Sequence, residues 1–345
     1  FKQKTAYEIS TRDWSSDVCS SDLVNLSSGP ESGGPAAVVT TPVAIVLIQD
    51  NDAVGGGLDT GYGVGIGPDN TVKAIAVQDD GKVVVGGTFL TYNGVGDNRI
   101  VRLRSDGTRD GTIVLANGTV NAVAIDRNVN PLNAANVGKI VFGGSFTTVN
   151  ATARNQVARL NADLTLDASF VSPLAGATVQ GVAVQPDGKV IVVGSFTVSG
   201  RQNVVRLDAV TGAVDTTFLS GLVGANSTVR AVLVQADGKI VIGGDFISVN
   251  GASANRLARL NTDGSIDPTF NIGYGANGVV NAVAVQLDEK VVVGGSFTAF
   301  DGAPRQNLAR IMGGGNAGAG AFGYDVPVFT VSESGTNATI TVRRD

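Results

Sequence analysis

The chain has 345 residues, a formal net charge of −5, one cysteine and no histidine. A mildly acidic chain with dispersed Lys and Arg argues against nucleic acid as a partner, because nucleic-acid binding needs a concentrated positive surface. Acid–base and nucleophilic catalysis lack their usual participants here, so we assign no catalytic residue, and no apolar run is long enough to predict membrane insertion.

Residues 1–23 share no pattern with the rest of the chain and contain its only tryptophan and cysteine, Trp14 and Cys19. Residues 2–9 (KQKTAYEI) and 13–23 (DWSSDVCSSDL) resemble a translated sequencing adapter and its index primer. The alternative of a secretory signal lacks the apolar run of about seven or more residues that such a signal needs. We therefore interpret residues 1–23 as an artefactual segment outside the fold.

The rest of the chain is organised around one unit written five times, most completely in residues 229–270. The unit holds four short apolar runs, and Asp237-Gly238 and Asp263-Gly264 stand between consecutive runs. Asp-Gly between apolar runs predicts a hairpin with a type I′ turn, which needs positive φ at both central positions. The unit is therefore a predicted four-stranded antiparallel meander. Its strands are residues 229–234, 239–246, 255–260 and 265–270.

The copies begin about fifty residues apart, and a fixed period with four strands per unit is the signature of a β-propeller blade. Their first residues are Val72, Val120, Val179, Val229 and Val280. The predicted fold class is all-β, a five-bladed β-propeller of four-stranded antiparallel blades over residues 54–313.

Ring closure is predicted from a mismatch between the two ends of the array. The fifth copy has three runs and then enters Gly313-Gly314-Gly315 without a fourth. Residues 58–62 (LDTGY), just before the first copy, match the fourth run at residues 266–270 (IDPTF). We expect this N-terminal strand to complete the last blade, which removes the exposed sheet edges of an open array.

Two recurrent features have a structural and a functional interpretation. The Gly-Gly pairs beginning at Gly86, Gly143, Gly243 and Gly294 mark a bulge or a close backbone approach, or else an anion-binding nest. Recurrent arginines and aspartates predict one buried ion pair per blade, or else a ring of ligand-binding arginines. The pairs are Arg102 with Asp110, Arg159 with Asp167, Arg206 with Asp215, Arg259 with Asp267 and Arg310 with Asp59.

One face of the predicted disc carries both tight Asp-Gly turns, and the other carries the longer connections, such as residues 246–255 and 271–278. Binding residues concentrate on long loops held by a rigid scaffold, so we expect the second face to contact a protein or glycan partner. Ordinary loop solvation is the alternative for each residue. The candidates are Tyr92, Asn93, Asn150, Asn250, Tyr274, Phe300 and Asp301.

An enzyme is the competing functional class. Propellers host carbohydrate-active and other hydrolytic sites near the axis, and a carboxylate there would be the catalytic group. Asp245 stands where the other copies have Thr88, Ser145, Ser195 and Ser296. It is the departure from the repeat that keeps this alternative open.

Both ends of the chain carry strand-like runs beside acidic residues. Residues 24–53 end in Gln49-Asp50-Asn51-Asp52, and residues 324–345 contain Ser332-Glu333 after the Gly-rich linker 314–323. These ends resemble the last and the first strands of Calx-β domains, a β-sandwich family. The resemblance implies calcium ligands at Asp50, Asp52 and Glu333, and carboxylates at strand ends suit Ca²⁺. Alternatively, these carboxylates only solvate a strand end.

The repeats resemble the bacterial delta-60 repeat family, which is assigned to β-propellers and whose function is largely unknown. The shared motif is Val-x-Ala-Val-x-Val-Gln-x-Asp-Gly-Lys-Val-x-Val-Gly-Gly-x-Phe, followed by Asn-x-x-x-Arg-Leu and Asp-Gly-x-x-Asp-x-x-Phe. Together the resemblances imply an extracellular or surface display and adhesion module within a longer multidomain protein. Its neighbouring domains are then further partners, no cofactor is expected in the propeller, and calcium is expected only at the Calx-β ends.

Overall fold

A computed structural model of the chain describes residues 61–63, 65–111, 114–127, 136–286 and 288–313. All secondary-structure elements in this part of the chain are β-strands, as predicted. The chain divides into two compact units, and the second, Asp59–Ala317, contains every described residue. The predicted segments 1–23, 24–53, 314–323 and 324–345 therefore lie outside the described residues, as do Asp50, Asp52 and Glu333.

Each repeat forms an antiparallel sheet of three main strands, because its three β-branched runs are separated by turn signals. Numbered in chain order, the first strands of the five sheets are β1 (Val72–Val77), β7 (Val120–Ile125), β12 (Thr178–Val184), β15 (Val229–Val234) and β20 (Val279–Val285). The middle strands are β2 (Val83–Gly87), β8 (Ile140–Gly144), β13 (Val190–Val198), β16 (Ile240–Gly244) and β21 (Val291–Ser296). The third strands are β5 (Arg99–Leu103), β11 (Val157–Leu160), β14 (Arg201–Leu207), β19 (Leu257–Leu260) and β24 (Leu308–Ile311).

The prediction that the fourth run of each repeat forms a β-strand is wrong in the first four repeats. In each of the first four repeats the fourth run makes a single antiparallel bridge to the third strand, as between Leu260 and Ile266. The next residue, Asp267, accepts hydrogen bonds from the backbone N–H and hydroxyl of Thr269, and this local turn replaces the ladder. In the first sheet a short strand further on, β6 (Val114–Leu115), pairs with β5 instead.

The connections between the middle and third strands are hairpins, although the sequence predicts loops. In the third repeat β13 and β14 simply continue into the hairpin. The others are β3 with β4 (Thr91–Tyr92, Val95–Gly96), β9 with β10 (Thr148–Val149, Thr152–Ala153), β17 with β18 (Ser248–Val249, Ala252–Ser253) and β22 with β23 (Ala299–Phe300, Ala303–Pro304).

The type I′ turns lie at the tips of these hairpins. At Asn250 and Gly251, for example, φ is +52° and +79°. The prediction of a type I′ turn at Asp237-Gly238 is wrong, because φ is positive only at Gly238 (+81°). There Asp237 accepts a hydrogen bond from the N–H of Lys239, and glycine takes the single left-handed position.

The five sheets pack one against the next in chain order, since β1, β7, β12, β15 and β20 form a row of neighbouring first strands. Apolar side chains from consecutive sheets interdigitate. One such core joins Val84 and Ile100 of the first sheet to Val120 and Phe142 of the second. The other three consecutive pairs have equivalent cores. Within the described residues five sheets share four cores, so the array is propeller-like but is not closed into a ring.

Close backbone approach explains the Gly-Gly pairs. A Cβ on Gly144 would lie 1.9 Å from the carbonyl oxygen of Thr119, which immediately precedes the paired first strand β7. The first strand carries a bulge at this point, between Val120 and Ala122. Close backbone approach therefore accounts for the second glycine of each pair, Gly87, Gly144, Gly244 and Gly295.

Candidate binding face

The strand directions place two kinds of connection at opposite ends of every sheet. The first–second turns and the turns after the third strands lie at one end, which we call the turn face. The hairpins of β3–β4, β9–β10, β13–β14, β17–β18 and β22–β23 leave the sheets at the other end, and together with the repeat-to-repeat connections they form the surface that we call the hairpin face. These hairpins reach back to the turns after the third strands, as Asn250 reaches the carbonyl of Gly264. All seven predicted binding residues belong to the hairpin face.

Four of the predicted binding residues sit at hairpin tips and hold the preceding connection. Asn250 accepts a hydrogen bond from the N–H of Gly224 (2.9 Å) and donates one to the carbonyl of Gly264 (3.0 Å). The equivalent acceptor bonds run from Gly67 to Asn93, from Leu115 to Asn150 and from Tyr274 to Asp301. These side chains therefore organise the hairpin face.

The three aromatic candidates differ sharply in exposure. Tyr92 is 5% exposed, and its hydroxyl donates to the carbonyl of Gly107 at 2.8 Å. Phe300 is 8% exposed and packs edge-on against Phe297. Tyr274, in contrast, is 80% exposed. Only the Tyr274 ring is therefore presented to a partner.

The Tyr274 ring projects from a rigid backbone. The N–H of Tyr274 donates to Asp301 Oδ1 (2.9 Å), and its carbonyl accepts from Asn255 Nδ2 (2.9 Å). The residue lines a groove of about 380 Å³ between the fourth and fifth repeats. The groove also carries Ile247, which is 54% exposed, and Arg256. It therefore combines an aromatic ring, an aliphatic side chain, a guanidinium and the amides of Asn255 and Asn277.

A row of polar residues near the hairpin face was missed by the sequence analysis. The second residue of the first apolar run is polar in each copy, although its neighbours are apolar; these residues are Lys73, Asn121, Gln180, Arg230 and Asn281. Lys73 Nζ donates to Asn121 Oδ1 (3.3 Å), and Asn121 Nδ2 donates to the carbonyl of Val179 (2.9 Å). The signal that the sequence offered for this row is a polar residue at the same position of the first strand in all five copies.

Asp245 belongs to this row through an ion pair. Arg230 approaches both carboxylate oxygens, with Nη2 at 2.8 Å from Oδ2. The neighbouring guanidinium of Arg256 donates to the backbone carbonyl of Asp245 (2.9 Å). The Asp245 carboxylate, which the sequence offers as a candidate catalytic group, is thus ion-paired with an arginine of its own repeat.

The predicted Arg–Asp ion pairs are present in the first four repeats. The Arg Nε to Asp Oδ2 distances are 2.7 Å for Arg102–Asp110, 2.9 Å for Arg159–Asp167, 2.8 Å for Arg206–Asp215 and 2.8 Å for Arg259–Asp267. A lysine from the first–second turn joins each aspartate, as Lys139 joins Asp167 at 2.8 Å. Asp59, the expected partner of Arg310, lies outside the described residues.

The pKa values of three of these aspartates, Asp167, Asp215 and Asp267, are lowered. Burial alone favours the neutral form of Asp167. Hydrogen bonds from Lys139 and Ser169 and the charge of Arg159 outweigh that effect, so the pKa of Asp167 lies well below its usual range. The pKa values of Asp215 and Asp267 are lowered in the same way, against burial, by the Thr217 and Thr269 hydroxyls and by lysine. The ring of free ligand-binding arginines is therefore not supported in these four repeats.

The described part of the chain contains no group of three or more His, Cys, Asp or Glu side chains that could hold a metal ion. It also contains no helix long and apolar enough to cross a membrane. The predicted calcium ligands stay a prediction.

Comparisons with solved structures give several distant likenesses. The extracellular domain of the putative hybrid two-component system BT3049 from B. thetaiotaomicron is 14% identical with a TM-score of 0.42, and the match covers 65% of this chain but 25% of that one. XC5397 from Xanthomonas campestris, described as a gluconolactonase, is 14% identical with a TM-score of 0.41 over 65% and 69% of the two chains. A protein of unknown function from Bacteroides caccae is 12% identical with a TM-score of 0.41 over 71% and 78%. Likenesses this weak carry no argument about function.

A comparison with curated proteins found no match. A family model described as "domain of unknown function (DUF5122) beta-propeller" matches residues 78–112, 138–170, 185–218, 235–270 and 286–317. Each matched segment begins after the first strand of one copy of the repeat found in the sequence. The chain therefore carries five DUF5122 β-propeller repeats between residues 78 and 317.

Proposed function

We propose that the chain is a non-enzymatic recognition module whose five sheets are the blades of one propeller and whose hairpin face binds a protein or glycan partner. The observation that carries the proposal is Tyr274, whose backbone is held on both sides while its ring lies in solvent. An aromatic ring presented on a rigid backbone loses little conformational freedom on binding.

The groove beside Tyr274 offers the chemistry that such partners need. Arg256, Asn255 and Asn277 place a guanidinium and two amides around the ring and Ile247. Each of them also bonds within the protein, which fixes its position: Arg256 to Asp245, Asn255 to Tyr274 and Asn277 to Thr298. Aromatic and arginine side chains dominate binding energy at protein interfaces, and amides with an aromatic platform suit the hydroxyls and apolar faces of sugars. An extracellular or cell-surface location belongs to this proposal and rests on the repeat family and the Calx-β resemblance.

The test compares Tyr274→Ala with Val210→Ala, a matched control on the turn face that is 59% exposed. The wild-type chain is screened on an array of neutral and acidic oligosaccharides and in pull-downs, with and without calcium. For a captured partner we expect Tyr274→Ala to weaken binding at least about tenfold, as for a central aromatic contact, with an unchanged Tm. Equal binding by both variants and the wild type would exclude the Tyr274 groove.

A hydrolytic propeller enzyme with a carboxylate site is the second candidate. It is favoured by Asp245, the charged exception at a position occupied elsewhere by Thr or Ser. The ion pair with Arg230 keeps this carboxylate engaged and argues against a free general base. Turnover of aryl glycosides or lactones that disappears in Asp245→Asn, but persists in Tyr274→Ala, would establish the enzyme instead.

A further inference from the structure

The groove beside Tyr274 holds a guanidinium that has no counter-ion among the described residues. Arg256, which immediately precedes β19, is half-buried, and its side chain makes one hydrogen bond there, from Nη1 to the backbone carbonyl of Asp245 (2.9 Å). The Asp245 carboxylate does not neutralise Arg256, because Arg230 approaches both of its oxygens. Asp301 Oδ1 is likewise engaged, by the N–H of Tyr274 (2.9 Å). Arg256 therefore keeps N–H donors for an external anion.

The backbone of Arg256 makes its side chain unusual. Its φ is +69°, in the left-handed region, which few residues other than Gly, Asn and Asp adopt. The equivalent positions of three other repeats have this backbone with uncharged side chains. Their φ values are +59° at Gln156, +63° at Asn203 and +64° at Asn307. The fold therefore needs a left-handed residue here but not a guanidinium, and such an outlier points to a functional role.

The first repeat supplies a comparison within the same chain. Arg99 takes the equivalent backbone position, with a φ of +72°. The residue equivalent to Tyr274 is Val114 there, and it is 3% exposed. Both stand two positions before a bridged alanine, in the pairs Ala116–Val149 and Ala276–Phe300. Within the described part of the chain, an exposed aromatic ring and this arginine therefore occur together only at the boundary between the fourth and fifth repeats.

Asn255 supplies a hydrogen-bond acceptor in the same groove. Its Nδ2 donates to the carbonyl of Tyr274 (2.9 Å), whereas its Oδ1 accepts no hydrogen bond from the described residues. The Asn277 amide is fully used, because its Oδ1 accepts from the N–H groups of Thr298 and Ala299 and its Nδ2 donates to the Thr298 hydroxyl. Besides the Tyr274 hydroxyl, the groove therefore offers a ligand the donors of Arg256 and the Asn255 amide oxygen.

These groups together match the chemistry of a sugar acid. A carboxylate fits the fork of a guanidinium through two parallel hydrogen bonds, and a sugar hydroxyl can donate to Asn255 Oδ1. The Tyr274 ring is 80% exposed, so it offers a flat face on which the C–H groups of a pyranose can lie. A peptide anchor side chain needs a pocket that desolvates it fully, and so exposed a ring does not provide one.

We propose that the Tyr274 groove binds a carboxylated sugar residue, a hexuronate or a sialate, of an acidic glycan. The carboxylate binds Arg256, a hydroxyl binds Asn255, and the pyranose stacks on Tyr274. A volume of about 380 Å³ suits a ligand of one or two sugar residues. The inference rests on the binding role proposed above for this groove and specifies the class of its ligand.

The first test uses the wild-type chain on an array of oligosaccharides that contain hexuronate or sialate residues. Each acidic oligosaccharide is printed beside a twin whose carboxyl group has been reduced to an alcohol. We expect acidic members to be retained and their reduced twins to bind at least about tenfold more weakly, because a charge-assisted bidentate contact is lost. Equal binding of the acids and their reduced twins, or retention of none of the acids, would overturn the proposal. This comparison does not depend on the folding of any variant.

The second test titrates a retained acid against Arg256→Gln, with Arg99→Gln as the matched control. Both substitutions remove an arginine from the same backbone position, but only Arg256 lines the groove. Arg256→Gln is expected to keep the Tm of the wild type, because Gln156 already has this backbone. It should bind the acid at least about tenfold more weakly and no better than the reduced twin, whereas Arg99→Gln should bind like the wild type. Acid binding that survives Arg256→Gln would refute the carboxylate contact.

Tyr274→Ala separates this inference from the binding role on which it rests. If Tyr274→Ala weakens binding of a glycan or protein but Arg256→Gln does not, the groove binds a partner and the assignment of a sugar acid is wrong. If neither substitution weakens binding, both the assignment and the proposed role of the groove are wrong. Loss of acid binding in both variants, with Arg99→Gln unchanged, supports both.

Discussion

Replacing Asp167 by asparagine tests whether the buried ion pairs hold the repeats together. Asp167 Oδ2 lies 2.9 Å from Arg159 Nε and 2.8 Å from Lys139 Nζ, and Arg159 is 1% exposed. Asn has nearly the same shape and can still accept the hydrogen bonds that Ser169 donates to Oδ1. The substitution therefore removes the charge while leaving the packing and the local turn in place.

The expected loss is large because a guanidinium is left buried without its carboxylate. Breaking a buried pair from one side destabilises a protein by about 3–5 kcal/mol, which for a unit of this size lowers the Tm by roughly 10 °C. Asp245→Asn is the matched control, since the Arg230 and Asp245 side chains are 42% and 22% exposed. An exposed pair of this kind contributes about 0–1 kcal/mol.

The assay is urea unfolding followed by far-UV circular dichroism, with the wild type, Asp167→Asn and Asp245→Asn measured under one set of conditions. A lower urea concentration at the unfolding midpoint, with an unchanged m-value, would show that Asp167→Asn lowers the free energy of unfolding. If Asp167→Asn loses less than about 1 kcal/mol, or no more than the control, burial of the charge is not what makes the pair important.

Three further outcomes are expected. The folded-state pKa values of Asp167, Asp215 and Asp267 are lowered. The stability that these carboxylates give the folded state is therefore complete above their unfolded pKa of about 3.9 and is lost as the pH falls below it. An equal urea midpoint at pH 5 and pH 2.5 would contradict this. Asn250→Ala loses two hydrogen bonds and places alanine at a φ of +52°, which predicts a loss of about 2 kcal/mol and faster hydrogen exchange at Gly224, whereas a neutral result would remove its structural role. Tyr274→Ala changes stability by less than about 0.5 kcal/mol, checked by the same urea curves; a larger loss would show that its ring is part of the core.

The repeat and its ion pairs could be predicted from sequence because each depends on contacts within one unit. Arg259 and Asp267, for instance, lie eight residues apart in a pattern that recurs. The fourth strand could not, because the strand-like run 265–270 contains an aspartate whose side chain bonds the backbone two residues on. That local competition is invisible to an apolar/polar pattern.

The grouping of the candidate residues on one face could be predicted from the sequence, but their exposure could be predicted only in part; their role in binding stays a prediction. Tyr92 and Phe300 lie in two-residue strands, which are too short for alternation to show which side chain is buried. The tip residues bond to connections 26 to 35 residues upstream, as Asn250 bonds to Gly224. Such contacts depend on the packing of successive repeats. The exposed Tyr274 was included among the candidates, whereas the polar row from Lys73 to Asn281 was overlooked despite its regularity.

In each of the first four repeats the buried arginine donates to a backbone carbonyl oxygen of the next repeat. The bond therefore does not depend on the side chain of the accepting residue. Alanine, alanine, threonine and glycine occupy the four acceptor positions, at residues 162, 209, 262 and 313. A substitution at an acceptor position therefore needs no compensating change in the donor repeat to keep this bond, although at Gly313 a Cβ would lie 2.1 Å from the carbonyl oxygen of Glu289. Because the acceptor is a backbone atom, correlated substitutions across a junction between repeats are not expected to reveal this bond.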